Sequence, residues 1–157
     1  MNNSTIKWEN VRYFNKREFV DDVDKFADPK LIYQLDDFRD IVHYKIFPSP
    51  VPGSCVRMVE SGSQHSAINR RSTAIDVFCD APPLKVFHQA ITYFGWGGVG
   101  VYFDTQFRGK FHVMFHFDIR PKKPDQLGPV IWWRDVTYNY PAFYNAMKEM
   151  YQRLSSI

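Results

Sequence analysis

Apolar residues recur at helical spacing between Pro29 and Val42, where Leu31, Leu35, Phe38 and Val42 fall on one face and Pro29 stands in the first turn. The spacing predicts a helix over that span. A preceding helix is expected within residues 12 to 27: Asn15 can cap it, and Glu18 three positions on completes a capping-box pattern. Tyr44-Lys45-Ile46-Phe47 reads as a short strand stopped by Pro48, Pro50 and Pro52-Gly53, and the polar stretch 54 to 71 reads as loop. Ala74 to Cys79 alternates and is rich in β-formers, so a strand is expected there.

Pro82 and Pro83 open a predicted helix from Leu84 to Phe94 that Gly95 ends. Val99 to Phe103 and Lys110 to Arg120 are expected to pair around a turn at Asp104 to Gly109. The second of these is the clearest strand in the chain. His112, Met114, His116 and Asp118 fall on one of its faces, and Val113, Phe115, Phe117 and Ile119 on the other. A Pro/Lys loop (121 to 129), a short Val130-Ile131-Trp132-Trp133 segment and a last helix from Pro141 to Leu154 complete the pattern. No internal repeat or long linker divides it. The expectation is one domain over residues 1 to 157, of class α+β, with a small, mainly antiparallel sheet flanked by helices.

Composition narrows the partners. With 157 residues, 45% hydrophobic and 17% aromatic, the chain can bury a core, and disorder is excluded. The net charge of +3 comes without a run of Lys or Arg, so no nucleic-acid partner is expected. Cys55 and Cys79 fit neither a disulfide framework nor a thiolate metal site and read as small packed groups. The polar start, Met1 to Asn10, lacks an apolar h-region, and no stretch approaches a membrane span. The expectation is synthesis in the cytoplasm without a signal peptide.

The candidate chemistry is dispersed. His65 closes Ser61-Gly62-Ser63-Gln64-His65, Asp76 lies within Ser72-Thr73-Ala74-Ile75-Asp76-Val77, and His116 within Phe115-His116-Phe117-Asp118. Two imidazoles and one carboxylate are the ligand types that hold a hydrolytic zinc ion while leaving a position open for water. Gly97-Gly98 and Gly100 lack the Lys-Ser/Thr of a phosphate loop and read as a tight turn beside the sheet. The aromatics Trp96, Trp132, Trp133, Tyr138 and Tyr140 read mostly as core, with part available to line a groove; His43 and His88 read as structural.

These segments, in this order, resemble the zinc D-Ala-D-Ala carboxypeptidase family, which includes the VanX and VanY peptidases and phage L-Ala-D-Glu endolysins. Phe14-Asn15-Lys16-Arg17-Glu18-Phe19 with Leu35-Asp36-Asp37-Phe38-Arg39 is similar to the family's amino-terminal helices. Ser63-Gln64-His65 with Ser72 to Val77, Gly97-Gly98-Val99-Gly100-Val101-Tyr102, and Phe115 to Asp118 are similar to its other three elements. The match covers residues 12 to 134. It implies a hedgehog/D-Ala-D-Ala peptidase-like fold, Zn²⁺ held by His65, Asp76 and His116, and a peptidoglycan stem peptide as substrate. It further implies a phage or prophage product that reaches the wall after release in lysis or from a virion.

Two departures stand out. His65 lies four residues farther from Asp76 than the family's first His does from its Asp, and Asn69 holds the usual register. An insertion that keeps His65 as ligand is the preferred reading, because a carboxamide is a poor zinc ligand beside imidazole. The family's acidic base stands three positions before the last His, where this chain has Val113. The proton carrier is then expected to be His112 or Asp118, both on the ligand face. Arg57 matches in place the family's substrate-binding, oxyanion-stabilising arginine. The alternative is a non-catalytic wall-binding or virion module on the same fold. Which peptide bond is cut and the oligomeric state are not legible.

Overall fold

The computed structural model describes residues 5–107, 109–126, 128–134, 138–139, 151–154 and 156. Its elements are helices α1 (Val23–Phe26), α2 (Pro29–Val42) and α3 (Pro83–Thr92), and strands β1 (Ile46–Pro48), β2 (Ala74–Cys79), β3 (Gly98–Phe107), β4 (Lys110–Asp118), β5 (Val130–Arg134) and β6 (Tyr138–Asn139). The six strands form one sheet in the order β1-β2-β4-β3-β5-β6. Four neighbouring pairs are antiparallel and β3 pairs β5 in parallel, so the α+β sheet is mixed rather than uniformly antiparallel.

Helix α2 forms where its apolar spacing puts it. Asp28 caps it by accepting from Lys30 N–H at 2.9 Å, Pro29 opens it, and His43 ends it in the left-handed region at φ 56°. Leu31, Leu35, Phe38 and Val42 are fully buried. The expected helix within 12 to 27 is not continuous. The Asn15/Glu18 capping box exists, but on a single 3-10 turn, Lys16–Glu18. Asp21 then turns its carboxylate away to accept from the backbone N–H groups of Gly53, Cys55 and Val56 at 2.8–2.9 Å, and only the four-residue α1 follows. A tertiary bond set has overridden a local helix signal.

The strand pattern needs three corrections. Strand β1 begins at Ile46 and includes Pro48 rather than stopping at it. Strand β3 runs through the expected turn, which tightens around Gly109 at φ 73°. Gly98 and Gly100 lie in strand β3 and are not a turn, and α3 stops at Thr92, before Gly95. Of the last predicted helix, residues 141 to 150 lie outside the described residues, while 151 to 154 are helical.

One face of the sheet is the core. Ile75, Val77, Val99, Val101, Phe115, Phe117 and Trp133 are buried with Val86, Phe87 and Ala90 of α3 and the apolar face of α2. Phe38 of α2 meets Phe117 edge-on at 5.1 Å and Trp96 at 5.7 Å, while Trp96 stacks on Phe117 at 4.8 Å. Trp96 and Trp133 are thus core, as expected. The opposite face of the same strands carries Asp76, Met114, His116, Asp118, Tyr102 and Trp132 beneath the 49–73 loop. No helix among the described residues is long and apolar enough to cross a membrane.

Candidate metal centre

Strand pairing builds the site. Asp76 on β2 and Gly100 on β3 are both register partners of His116 on β4, so carboxylate and imidazole lie side by side on the face away from the helices. His65 arrives from the loop. The backbone N–H of Arg57 donates to His65 C=O at 2.8 Å, that of Ala67 to Arg57 C=O at 2.9 Å, and that of Thr73 to Gln64 C=O at 2.9 Å. This small ladder, with an Arg57–Ser66 bridge, folds the polar segment over the sheet and buries His65 to 2% exposure.

The three side chains converge closely. His65 Nε2 lies 3.0 Å from His116 Nδ1 and 3.3 Å from Asp76 Oδ1, and His116 Nδ1 lies 3.0 Å from the same oxygen. His65, Asp76 and His116 are all buried and are a group that can hold a metal ion. Ligand atoms about 2.0–2.1 Å from one tetrahedral centre stand roughly 3.3–3.4 Å apart, which the observed spacings approach. Asn69, by contrast, is exposed in the left-handed region at φ 61°, outside this group.

The arrangement calls for positive charge at His116 Nδ1, from a second proton or from a bound cation. His116 Nε2 lies 3.2 Å from Asp118 Oδ2, an acceptor, so it carries the hydrogen. Nδ1 then faces Asp76 Oδ1 and His65 Nε2 with either a lone pair or a second proton. A lone pair against a carboxylate oxygen is repulsive unless positive charge lies between them. Burial pushes the His116 pKa down, but its bonds to Asp118 and Asp76 reverse this and raise it above the ordinary value. Burial lowers the pKa of His65, which stays neutral and ligand-ready. For Asp76, burial acts upward, yet bonds from His116 and His65 hold the carboxyl below the usual range.

The group opens on a cavity of about 690 Å³, whose wall includes Arg57, Gln64, Tyr102, Arg120 and Trp132. Arg57 lines the same cavity. Its Nε donates to Gly53 C=O at 2.8 Å and its terminal nitrogen stands 3.5 Å from Asp76 Oδ2, with the side chain 43% exposed. Trp132 packs on the His116 ring at 5.0 Å and donates from Nε1 to the Tyr102 hydroxyl at 3.3 Å.

The two expected proton carriers are not on this cavity. His112 sits toward the far end of the sheet face, exposed, edge-on to Phe78 at 6.1 Å and Phe107 at 5.9 Å, beside a separate cavity. Asp118 is fully buried and committed to His116 and Arg120; burial acts upward on its carboxyl, but those two partners bring it down to about 2. Its position is that of a group orienting His116. Val113, in the usual acid position, lies on the opposite face at half burial, lining the far cavity. Tyr102, Arg120 and Trp132 were missed as site residues. Only the period-two alternation through Asp118 to Arg120, and from Val130 to Trp132, could have placed the last two on this face.

Comparison of the chain with protein-family models, with curated proteins and with solved structures gives no match. The geometry of the site therefore carries the functional argument.

Proposed function

We propose that this chain is a zinc-dependent peptidase that hydrolyses stem-peptide bonds in bacterial peptidoglycan, of the D-Ala-D-Ala carboxypeptidase or L-Ala-D-Glu endopeptidase type, and that it serves as a phage or prophage lytic enzyme. One observation carries the reading: His65, Asp76 and His116 meet within 3.3 Å on the wall of an open cavity, on the segments that resemble that family. When bound, zinc supplies Lewis-acid polarisation of a scissile carbonyl and lowers the pKa of a water towards about 7.

The chain's own residues supply the rest. Arg57, partly exposed at the cavity wall, offers a cation to the oxygen that gains charge as the carbonyl is attacked. Trp132 and Tyr102 form an apolar-backed wall against which a peptide can lie. Among the described lining residues, Tyr102 is the acid–base group that remains once the three ligands and the two arginines are set aside. It is the group we assign to proton transfer towards the leaving amine.

A second reading, a non-catalytic wall-binding or virion module, is favoured by one feature. Among the described lining residues, no carboxylate besides Asp76 faces the cavity. Digestion of purified peptidoglycan, followed by mass spectrometry of the muropeptides, separates the two. The enzyme reading expects new amine and carboxylate termini that vanish on chelation and return with zinc. Bound but uncut peptidoglycan selects the module.

A further inference from the structure

We infer that Arg120 is a positioning residue for the metal centre: it locks the Asp118 carboxylate, which in turn holds His116 with Nδ1 turned to Asp76 and His65. The inference rests on the metal reading above and concerns affinity for the ion, not the reaction.

The bonds define a chain of constraint. Asp118 Oδ1 accepts from Arg120 backbone N–H at 3.1 Å and from its Nε at 2.8 Å. Oδ2 accepts from Nε at 2.9 Å and from a terminal guanidinium nitrogen at 2.5 Å, and it faces His116 Nε2 at 3.2 Å. With 0% exposure, the carboxylate has no water to replace these donors. A planar fork across both oxygens fixes its rotation, which a single point charge does not. The guanidinium is held in turn at 5.0 Å over the Trp132 ring, the same ring that packs on His116.

The glycines of the Gly97-Gly98-Val99-Gly100 segment give an independent reason to see this as a built scaffold. None of the three has a positive φ, so none is required for its backbone conformation. Each is required for space. A Cβ on Gly97 would stand 1.9 Å from the Arg120 carbonyl oxygen, one on Gly98 2.4 Å from Asp118 Oδ2, and one on Gly100 2.6 Å from Trp132 Nε1. The start of β3 is therefore cut away where Arg120, Asp118 and Trp132 lie. Core packing alone asks for nothing of the kind on the polar face of a sheet.

The test is metal affinity. Zn²⁺ binding to wild type, Arg120→Gln and Arg120→Lys is measured by competition with a chromophoric chelator. Co²⁺ spectra report the ligand geometry, and melting of the metal-free proteins reports fold. The expectation is about 10–100-fold weaker Zn²⁺ binding and altered Co²⁺ bands in Arg120→Gln, with partial recovery in Arg120→Lys. A smaller metal-induced rise in Tm should accompany the loss. Should Arg120→Gln fail to fold, Arg120→Lys carries the comparison, because one ammonium cannot reproduce the fork. Wild-type affinity and spectra in the variants overturn the inference while the metal reading stands. A wild type that binds neither ion overturns both.

Discussion

The two faces of the sheet are made by the same strands and obey different rules. On β4, Phe115 and Phe117 turn to the helices, while His116 and Asp118 take the opposite face, His116 at the cavity and Asp118 fully buried beside it. Both faces are buried, but the core face is interchangeable packing: its groups need volume and shape, and a neighbour of similar size substitutes at modest cost. The site face is a chain of specific partners, in which Asp118, His116, Asp76 and His65 each depend on the next. A buried polar network is either satisfied or costly. The difference teaches that one substitution per face, one residue apart on β4, should damage different things.

The largest expected effect is on the site face. Exchanging His116 for Ala should abolish metal binding and hydrolysis, because two protein ligands rarely retain a hydrolytic zinc ion. Elemental analysis after dialysis, beside an assay on peptidoglycan, measures both. His65→Ala should do the same, whereas Asn69→Ala, in an exposed left-handed turn, should keep the ion. Full occupancy in His116→Ala would remove the centre from this group of residues.

Next comes the core face. Phe117→Ala should cost about 3–5 kcal/mol of stability by chemical denaturation, since the ring is fully buried against Phe38 and Trp96. The folded fraction should bind zinc with near wild-type affinity. A folded Phe117→Ala variant that loses the ion would break the comparison, showing that the faces are coupled through β4.

The parts of this division that could be read from sequence are those that local spacing controls. Helix α2 and strand β2 have the bounds that apolar periodicity assigns, Pro29–Val42 and Ala74–Cys79. The alternation of β4 by itself divides the face of His116 and Asp118 from that of Phe115 and Phe117. What local pattern could not reach depends on long-range partners. Asp21 leaves its helix for the backbone of Gly53 to Val56, and β5 joins β3 in parallel across a long connection. Arg120 read only as the end of a strand and Trp132 as one of several aromatics shared between core and groove, because nothing nearby reveals that they converge on Asp118 and His116. The two expected proton carriers lie off the cavity for different reasons: His112 stands toward the far end of the face, and Asp118 is buried against His116 and Arg120.

A smaller effect sharpens the assignment within the cavity. Tyr102→Phe removes one hydroxyl while keeping the ring against Trp132. If that hydroxyl carries the proton, kcat should fall by roughly 10²-fold or more with zinc fully bound and KM little changed. An unchanged kcat would take the phenol out of the chemistry and leave it as part of the wall.

The smallest effect is expected at His112, and it tests where the site face ends. Its ring is exposed and meets Phe78 and Phe107 edge-on, beside a cavity that none of the three ligands lines. A group so placed stands outside the cavity on which His65, Asp76 and His116 open. His112→Ala should therefore leave kcat/KM and zinc content within about two-fold of wild type, because a carrier within hydrogen-bond reach is what a 10²-fold effect requires. Stability should move by about 0.5 kcal/mol or less, the usual scale for an exposed position. Steady-state rates on a stem peptide, with zinc quantified in the same samples, measure the first outcome. A loss of 10²-fold with the metal retained would extend the functional face along the whole of β4, and the far cavity would then belong to the substrate path.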